Sequence, residues 1–478
     1  MTSVGPGLAV RRRIDDTESP VSALLKLGPD RPGTILFESV VGGENRGRYS
    51  FVGLEPDRWW RVRNGRAELA ASADFETILS TTDDPLASMR QFIESCVATC
   101  SEALPPMAAG AFGYVGYDMV RYMERLPESA PDPLGVPEAL LMRPTVVLIF
   151  DSVRQEIILV APEHDGPTAA HERLDAIEAL LDAPAPSARP TDANADEIRF
   201  VSNTAPENYR SMVEAAKAYI RAGDIFQVVP SQRFSAPFSR SPFAFYRALR
   251  RLNPSPFMFY ANFGGFQISG ASPEILVRLR GGEITVRPIA GTLPRGRTHQ
   301  EDLDNEQKLL SDPKERAEHL MLLDLGRNDV GRVAAPRSVQ VTEQFTVERY
   351  SHVMHIVSNV VGQLNEGEDM ISSLSAGFPA GTVSGAPKIR AMEIISELEP
   401  HGRGVYAGGV GYFGAGGDMD TCIALRTAVF KDQEIHVQAG GGVVYDSDPQ
   451  SELDETVHKA SAVFKAAAEA VRYDRGNR

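Results

Sequence analysis

Cysteine is scarce in this chain: among its 478 residues only Cys96, Cys100 and Cys422 carry a thiol. So few thiols make no disulfide framework. The i, i+4 spacing of Cys96 and Cys100 in a helical-looking segment marks buried thiols, not a redox pair. Long apolar runs are missing too. No stretch approaches the roughly 18 residues a membrane-spanning helix needs. Met1 to Asp16 carries charge but no hydrophobic segment of the secretory-signal kind. Positive charge is in deficit, with 49 Lys and Arg against 64 Asp and Glu, a formal net charge of −15. That balance disfavours a nucleic-acid or anionic-membrane surface, but a local basic pocket for a small anion stays open. Repeats of about 20–50 residues are absent. A reduced, cytoplasmic protein is expected, with neither nucleic acid nor membrane as a partner.

What is present is ordinary in bulk: 42% apolar and 24% charged residues fit a soluble globular chain, and the length implies two or three units. The clearest break is the Ala-, Pro- and Asp-rich stretch from Asp182 to Asp196, an exposed connection. It gives an N-terminal region 1–182, a linker 183–196 and a C-terminal region 197–478, with the two regions expected to intertwine in one folded unit. Strand-like segments run over Thr34–Phe37, Tyr49–Leu54, Trp59–Val62, Thr145–Phe150 and Glu156–Val160. After the linker come Ile225–Val229, Phe257–Phe263, Gln267–Gly270, Ile275–Leu279, Glu283–Arg287, Gly408–Phe413, Thr421–Phe430 and Glu434–Gln438. Helical segments are Pro85–Thr99, Ala169–Leu181, Ala205–Ala222 stopped by Gly223, Asp302–Asp324, Ile389–Glu397 and Ser451–Tyr473. Consecutive strands joined by tight turns predict an α+β fold, large antiparallel sheets packed as a layered sandwich with helices on the outside.

Two ExxE clusters carry the first chemical signal, Glu315-Arg316-Ala317-Glu318 and Glu452-Leu453-Asp454-Glu455. Residues three apart share a helix face, so each cluster aims two carboxylates one way. Brought together, four such groups repel by roughly 4 kcal/mol per pair at ~4 Å and an effective dielectric of ~20. A site of that kind asks for a cation or a shared proton; apart, the clusters are solvated helix faces. His319 beside Glu318 is a candidate to support the cluster from behind. Zinc is not indicated, because neither HExxH nor a cysteine pair with ligand spacing occurs. Carboxylates alone favour a hard cation such as Mg²⁺.

Glycines carry the second signal. Gly440-Gly441-Gly442 follow a strand and are expected to expose consecutive N–H groups as an anion nest. Gly291-Thr292 lets backbone approach a ligand beside a hydroxyl. The loop from Gly381 to Lys388 lacks the GxxxxGK[ST] spacing of a phosphate loop, so nucleotide binding is not expected. Arg426 lies in an otherwise apolar strand-like run and needs a carboxylate, internal or from substrate. His355 sits in the apolar run Ser351–Val361. Together these point to a Mg²⁺-dependent enzyme acting on a small polycarboxylate.

In order along the chain, PIAGTLPRG, ERAEHLMLLDLGRNDVGR, RYSHVMHIVS, GTVSGAPK, DTCIALRTA, QAGGGVVYDSDP and ELDETVHKA resemble the chorismate-utilising enzymes. The likeness is greatest to their anthranilate-forming aminases. It covers Asn203 to Val471, and reaches the N-terminal part through Leu36-Phe37-Glu38-Ser39 and Gly47-Arg48-Tyr49-Ser50-Phe51. The resemblance implies that Glu318 and Glu455 hold Mg²⁺ with Glu315 and Glu452 close behind. It implies chorismate contacts at Gly291, Thr292, Tyr406, Arg426 and Gly440–Gly442, and catalytic roles for Glu274, His355, Thr382, Lys459 and Gln227. Glu274 is the implied acid that protonates the departing hydroxyl, and His355 the candidate that moves the ring proton. Relatives that make aminodeoxychorismate carry lysine where this chain has Ala290, and isochorismate-forming relatives carry lysine where Gln227 stands. Lacking both, the site suits ammonia, delivered by a glutamine amidotransferase subunit in a heterotetramer. Glu38, Ser39, Asn253, Pro256, Phe257 and Met258 match a tryptophan feedback site, with Phe37 in place of a more usual leucine. The alternative within the family is an aminodeoxyisochorismate or aminodeoxychorismate synthase.

Overall fold

The computed structural model describes residues 6–39, 47–99, 103–128, 130–184, 194–350 and 353–474. Cys100 and most of the linker stretch, 185–193, lie outside the described residues. Side-chain alternation sets the architecture. In the strands Ile35–Glu38 and Val146–Asp151, Ile35, Val147 and Ile149 point to one core while Leu36, Val146 and Leu148 point to another. A period of two with both faces apolar means a sheet covered on both sides. At fully buried positions such as Leu148 and Ile149, each side chain contributes roughly 1.5–3 kcal/mol.

Two large antiparallel sheets result. One runs Leu8–Ile14, Glu156–Pro162, Val146–Asp151, Tyr49–Leu54, Ile35–Glu38, Phe257–Asn262, Gln267–Ser272, Thr427–Lys431, Glu434–Gly440, Ser231–Pro237 and Val201–Ser202. The other runs Ile289–Pro294, Val353–Gln363, Glu283–Val286, Ile275–Arg280, Met419–Ile423, Gly409–Gly414, Gly110–Val115, Ala139–Arg143, Arg58–Arg63, Arg66–Ala70 and Ile78–Thr82. Phe51, Phe259 and Ile268 of the first meet Trp59, Phe112 and Val410 of the second in the central layer. Helices close the outside. Leu24, Leu174, Phe245 and Val463 cover the first sheet; Phe92, Val213, Leu323 and Ile395 cover the second. This is the α+β sandwich expected. Among the described residues no helix is long and apolar enough to cross a membrane.

Strands from either side of the linker share both sheets. Ile35–Glu38 pairs with Phe257–Asn262, placing Glu38 opposite Met258, and Gly110–Val115 pairs with Gly409–Gly414.

Three segments depart from the sequence reading. The run Thr421–Phe430 is not one strand: Met419–Ile423 belongs to one sheet and Thr427–Lys431 to the other, with Ala424–Arg426 crossing between them. Arg426 makes the corner with a left-handed φ of 49°. The helix expected over Asp302–Asp324 is two, His299–Ser311 and Pro313–Gly331, because Asp312 caps the second and Pro313 cannot continue the first. The strand expected over Ile225–Val229 shrinks to Gln227–Val228, paired with Gly385–Ala386.

Candidate active site

Both ExxE clusters start helices in the same way. Asp312 accepts from Lys314 N at 2.8 Å and Glu315 N at 3.2 Å, with Pro313 at the first helical position. Asp448 accepts from Gln450 N at 3.1 Å and Ser451 N at 2.9 Å ahead of Pro449–Glu469. The carboxylates therefore ride on the first two turns, where the helix dipole favours negative charge. A Lys314–Asp446 ion pair at 3.6 Å links the start of one helix to the approach of the other.

The four glutamates feel one another. Burial raises Glu315, and Glu318 and Glu455 raise it further; burial also raises Glu318 and Glu452, again with Glu455 adding to it. Gln227 Nε2 donates to Glu318 Oε1 at 3.3 Å, while Lys459 Nζ pairs with Glu455 Oε1 at 2.7 Å and donates to Gly440 O at 3.0 Å. Glu452 Oε2 and Gln227 Oε1 are buried with no hydrogen-bond partner among the described residues. Orphaned acceptors of this kind, amid half-buried carboxylates, fit a hard cation. As placed, no three His, Cys, Asp or Glu side chains among the described residues converge on one point. His319 does not support the cluster: it is buried against Ser358 Oγ, 2.6 Å from Nε2, and edge-on to the Phe345 ring. Its side chain turns toward the sheet, about 100° around the helix from its glutamate neighbour.

The triple glycine is not a nest. None of Gly440, Gly441 and Gly442 has a positive φ, and Gly441 N–H is spent on Pro230 O at 3.2 Å. Space is the reason for glycine there. A methyl group at Gly440 would stand 2.9 Å from Tyr406 Oη, at Gly441 2.8 Å from Glu452 Oε2, and at Gly442 2.7 Å from Gln227 Nε2. Gly291 differs: it sits at φ 65° in a bulge between Ala290 and Thr292, and a methyl there would come to 3.0 Å from Glu315 Oε2. The bulge turns Thr292 toward His355 and lays backbone along the glutamates.

Glu274 lies at the other crossing between the sheets, between Gln267–Ser272 and Ile275–Arg280. Burial pushes its carboxyl up to about 8, opposed only by the Thr382 hydroxyl, 2.8 Å from Oε1, and the Ile289 N–H. Nδ1 of His355 lies 3.0 Å from Gly291 O and 3.0 Å from Thr292 Oγ1. A carbonyl only accepts, so Nδ1 carries the proton and Nε2 keeps its lone pair. Burial drives His355 down to about 4, with Arg426 adding to the effect, so the ring is neutral near pH 7. Burial likewise lowers Arg426, whose guanidinium has no ion pair or hydrogen bond among the described residues. A half-sunken guanidinium of this kind has the donors to take a carboxylate. Tyr406 is buried, its phenol pushed up to about 12 by desolvation. Tyr350, within the motif RYSHVMHIVS but given no role there, has its ring edge-on to His355 at 5.5 Å. Lys388, at the end of the Gly381–Lys388 loop, had no role assigned from sequence; it binds both Asp329 oxygens at 2.8 Å and straps the Thr382 loop to the Glu318 helix.

A separate cavity of ≈ 120 Å³ opens between the sheets. Glu38, Ser39, Pro256, Phe257 and Met258 line it. Asn253 is not on its wall; it caps the helix Pro242–Leu252 and its Nδ2 is buried without a partner. The Glu38 carboxylate is already held by Arg250 at 2.8 and 2.9 Å and by the Tyr246 hydroxyl. Pro273, Ile275 and Tyr350 complete the side of the cavity nearest Glu274 and His355.

Residues 52–465 match the family described as chorismate binding enzyme. An anthranilate synthase component 1 from Cereibacter sphaeroides is 57% identical over 465 residues, 95% of this chain and 93% of that protein. Another from Pseudomonas putida is 50% identical, covering 95% of this chain and 93% of the relative. The crystal structure of anthranilate synthase component I from Streptococcus pneumoniae superposes with a TM-score of 0.79 at 38% identity, over 88% of this chain and 95% of that one. The chain belongs to the chorismate-binding enzymes, in the group of the anthranilate synthase component 1 lyases.

Proposed function

We propose that the chain converts chorismate and ammonia to anthranilate and pyruvate, as the cytoplasmic aminase step of tryptophan biosynthesis. The observation that carries this is the opposed pair in one site: Glu274, raised and protonated, and His355, lowered and neutral. Such a split assigns acid and base.

Ammonia uses its lone pair to form a bond to ring C2, both ring double bonds shift (C1=C2 to C1=C6 and C5=C6 to C4=C5), and the C4–O bond breaks. Glu274 supplies the proton that lets hydroxide leave as water. After the adduct has lost a proton to solvent to become a neutral amine, Nε2 of His355 accepts the C2 proton and the C3–O bond breaks; the ring becomes aromatic, and the enolate that leaves takes a proton on its methylene carbon to become pyruvate. Arg426 and the close-packed backbone at Gly440–Gly442 receive the enolpyruvyl end, with Tyr406, Gly291 and Thr292 along the ring. Lys459 and Gln227 place positive charge and an amide beside the glutamates. Glu318 and Glu455, backed by Glu315 and Glu452, would hold Mg²⁺, which neutralises carboxylate charge and clamps the ring carboxylate. Neither Ala290 nor Gln227 offers an amine, which supports free ammonia as the nucleophile. A glutamine amidotransferase subunit, in a heterotetramer, supplies it. The inter-sheet cavity is the proposed tryptophan feedback site.

Chorismate with Mg²⁺ and ammonium is expected to yield anthranilate fluorescence and stoichiometric pyruvate. Consumption of chorismate without pyruvate would replace this reading with an aminodeoxyisochorismate or aminodeoxychorismate synthase.

A further inference from the structure

Behind the site lies an ion pair that the reaction itself does not use. Glu399 follows the helix Lys388–Leu398, and the next loop returns Arg403 beneath the site. Both are buried, Arg403 at 3% exposure and Glu399 at 6%. Arg403 spends its donors on four bonds: Nε to Glu399 Oε2 at 3.0 Å, Nη2 to Glu399 Oε1 and to Val229 O at 2.6 Å each, and Nη1 to Val383 O at 2.7 Å. Its guanidinium carbon stands 5.4 Å from the centre of the Tyr406 ring. Glu399 Oε1 in turn accepts from Ser231 N at 2.7 Å and Ser231 Oγ at 2.8 Å.

Each anchored group adjoins a working one. Val383 follows Thr382, which holds Glu274. Ser231 is in register with Gly440. Tyr406 faces Gly440. A buried ion pair seldom stabilises more than well-packed apolar residues of similar volume would. Here the planar fork does something an apolar side chain cannot: it bonds at once to Glu399 and to two main-chain carbonyls, Val229 O and Val383 O, on neighbouring segments of the site.

We infer that Glu399 and Arg403 form a positioning pair, holding the Thr382 turn, the Tyr406 ring and the Gly440 strand end at the spacing chorismate requires. The inference rests on the proposed function. Arg403→Lys keeps the charge but loses the fork; Glu399→Gln keeps the shape but turns an amide donor on Nε or on Ser231. The full-length chain carrying either change is assayed with chorismate, Mg²⁺ and ammonium, per folded molecule, alongside its melting midpoint. Arg143→Lys is the control, a buried Arg–Asp57 pair in another part of the fold, bonded at 2.6 and 2.8 Å. For the positioning pair the chorismate KM is expected to rise about tenfold and kcat to fall by about as much, since ~1 Å of misplacement costs up to ~100-fold. Arg143→Lys is expected to lower the melting midpoint with KM unchanged. Variants at 399 and 403 that match the control, losing midpoint but keeping KM and kcat, would overturn the inference alone. A wild-type chain that makes no anthranilate would overturn the proposed function instead, and the same comparison is then read from chorismate Kd by calorimetry.

Discussion

At the scale of single residues, the proposed acid and base make opposite demands on one environment. Glu274 and His355 are both buried, and burial penalises whichever form is charged. The carboxyl therefore keeps its proton and the imidazole loses its own. Protonated Glu274 predominates below about 8 and is lost as pH rises through that value; neutral His355 predominates above about 4. Turnover is expected to plateau between these limits, with the alkaline limb belonging to Glu274. In Thr382→Val the bond that favours the carboxylate is gone, so that limb should move to higher pH. A limb that stays put in a pH–rate series would remove Glu274 from the role. Glu274→Gln should lower kcat by about 10²–10⁴, the range of general acid catalysis, with an unchanged melting profile. Glu318→Ala and Glu455→Ala should each abolish the response to Mg²⁺ in an activity titration; a response equal to wild type would unseat both as ligands.

At the scale of elements, the two acidic helices owe their aim to their caps. Asp312 and Asp448 each satisfy two free N–H groups at a helix start, and loss of such a cap costs about 1 kcal/mol. Asp448→Ala is expected to lower stability by that amount and to raise the Mg²⁺ concentration for half-maximal activity, because Glu452 rides on the first turn. Thermal melting and a metal titration read the two effects separately. The caps also show how far the sequence could be read. Glu315–Glu318 and Glu452–Glu455 face one way because i, i+3 is a property of any helix, so they were legible without a fold. The break at Asp312-Pro313 has a local cue as well, an Asp cap before a proline, but apolar periodicity alone runs across it. The break at Ala424–Arg426 has no such cue. Both halves of that run are apolar and both are strands; only the packing of two sheets reveals that they belong to different ones. The glycines at 440–442 were read from sequence as an anion nest, whereas in the fold they are sites of close approach. What they approach, Tyr406, Glu452 and Gln227, comes from three distant segments.

At the scale of the whole molecule, two corners where the chain changes sheets, at Pro273-Glu274 and Ala424–Arg426, place the proposed acid and the proposed carboxylate-binding arginine at the seam of the sandwich. The inter-sheet cavity shares that seam, since Pro273 and Ile275 flank Glu274. A ligand wedged there would bear on the proposed acid through one residue of backbone. Tryptophan is expected to raise the melting midpoint, by an amount equivalent to about 2.7 kcal/mol at a hundredfold excess over Kd, and to inhibit. Ser39→Phe, which fills the cavity, should erase both effects while ammonia-dependent activity persists. Inhibition that survives in Ser39→Phe would place the feedback site elsewhere.

The interleaving of N-terminal and C-terminal strands has a consequence for how the chain comes off the ribosome. Ile35–Glu38 pairs early with Tyr49–Leu54 but fills its other edge only when Phe257–Asn262 has been made, and Gly110–Val115, paired with Ala139–Arg143, waits longer still for Gly409–Gly414. At ~5–20 residues per second, those bonding edges stay open for on the order of tens of seconds. Open apolar edges invite pairing with other chains. Slower initiation or lower temperature is therefore expected to improve the soluble yield, whereas expressing the first 182 residues alone should give insoluble material: half of two sheets, and the whole of neither.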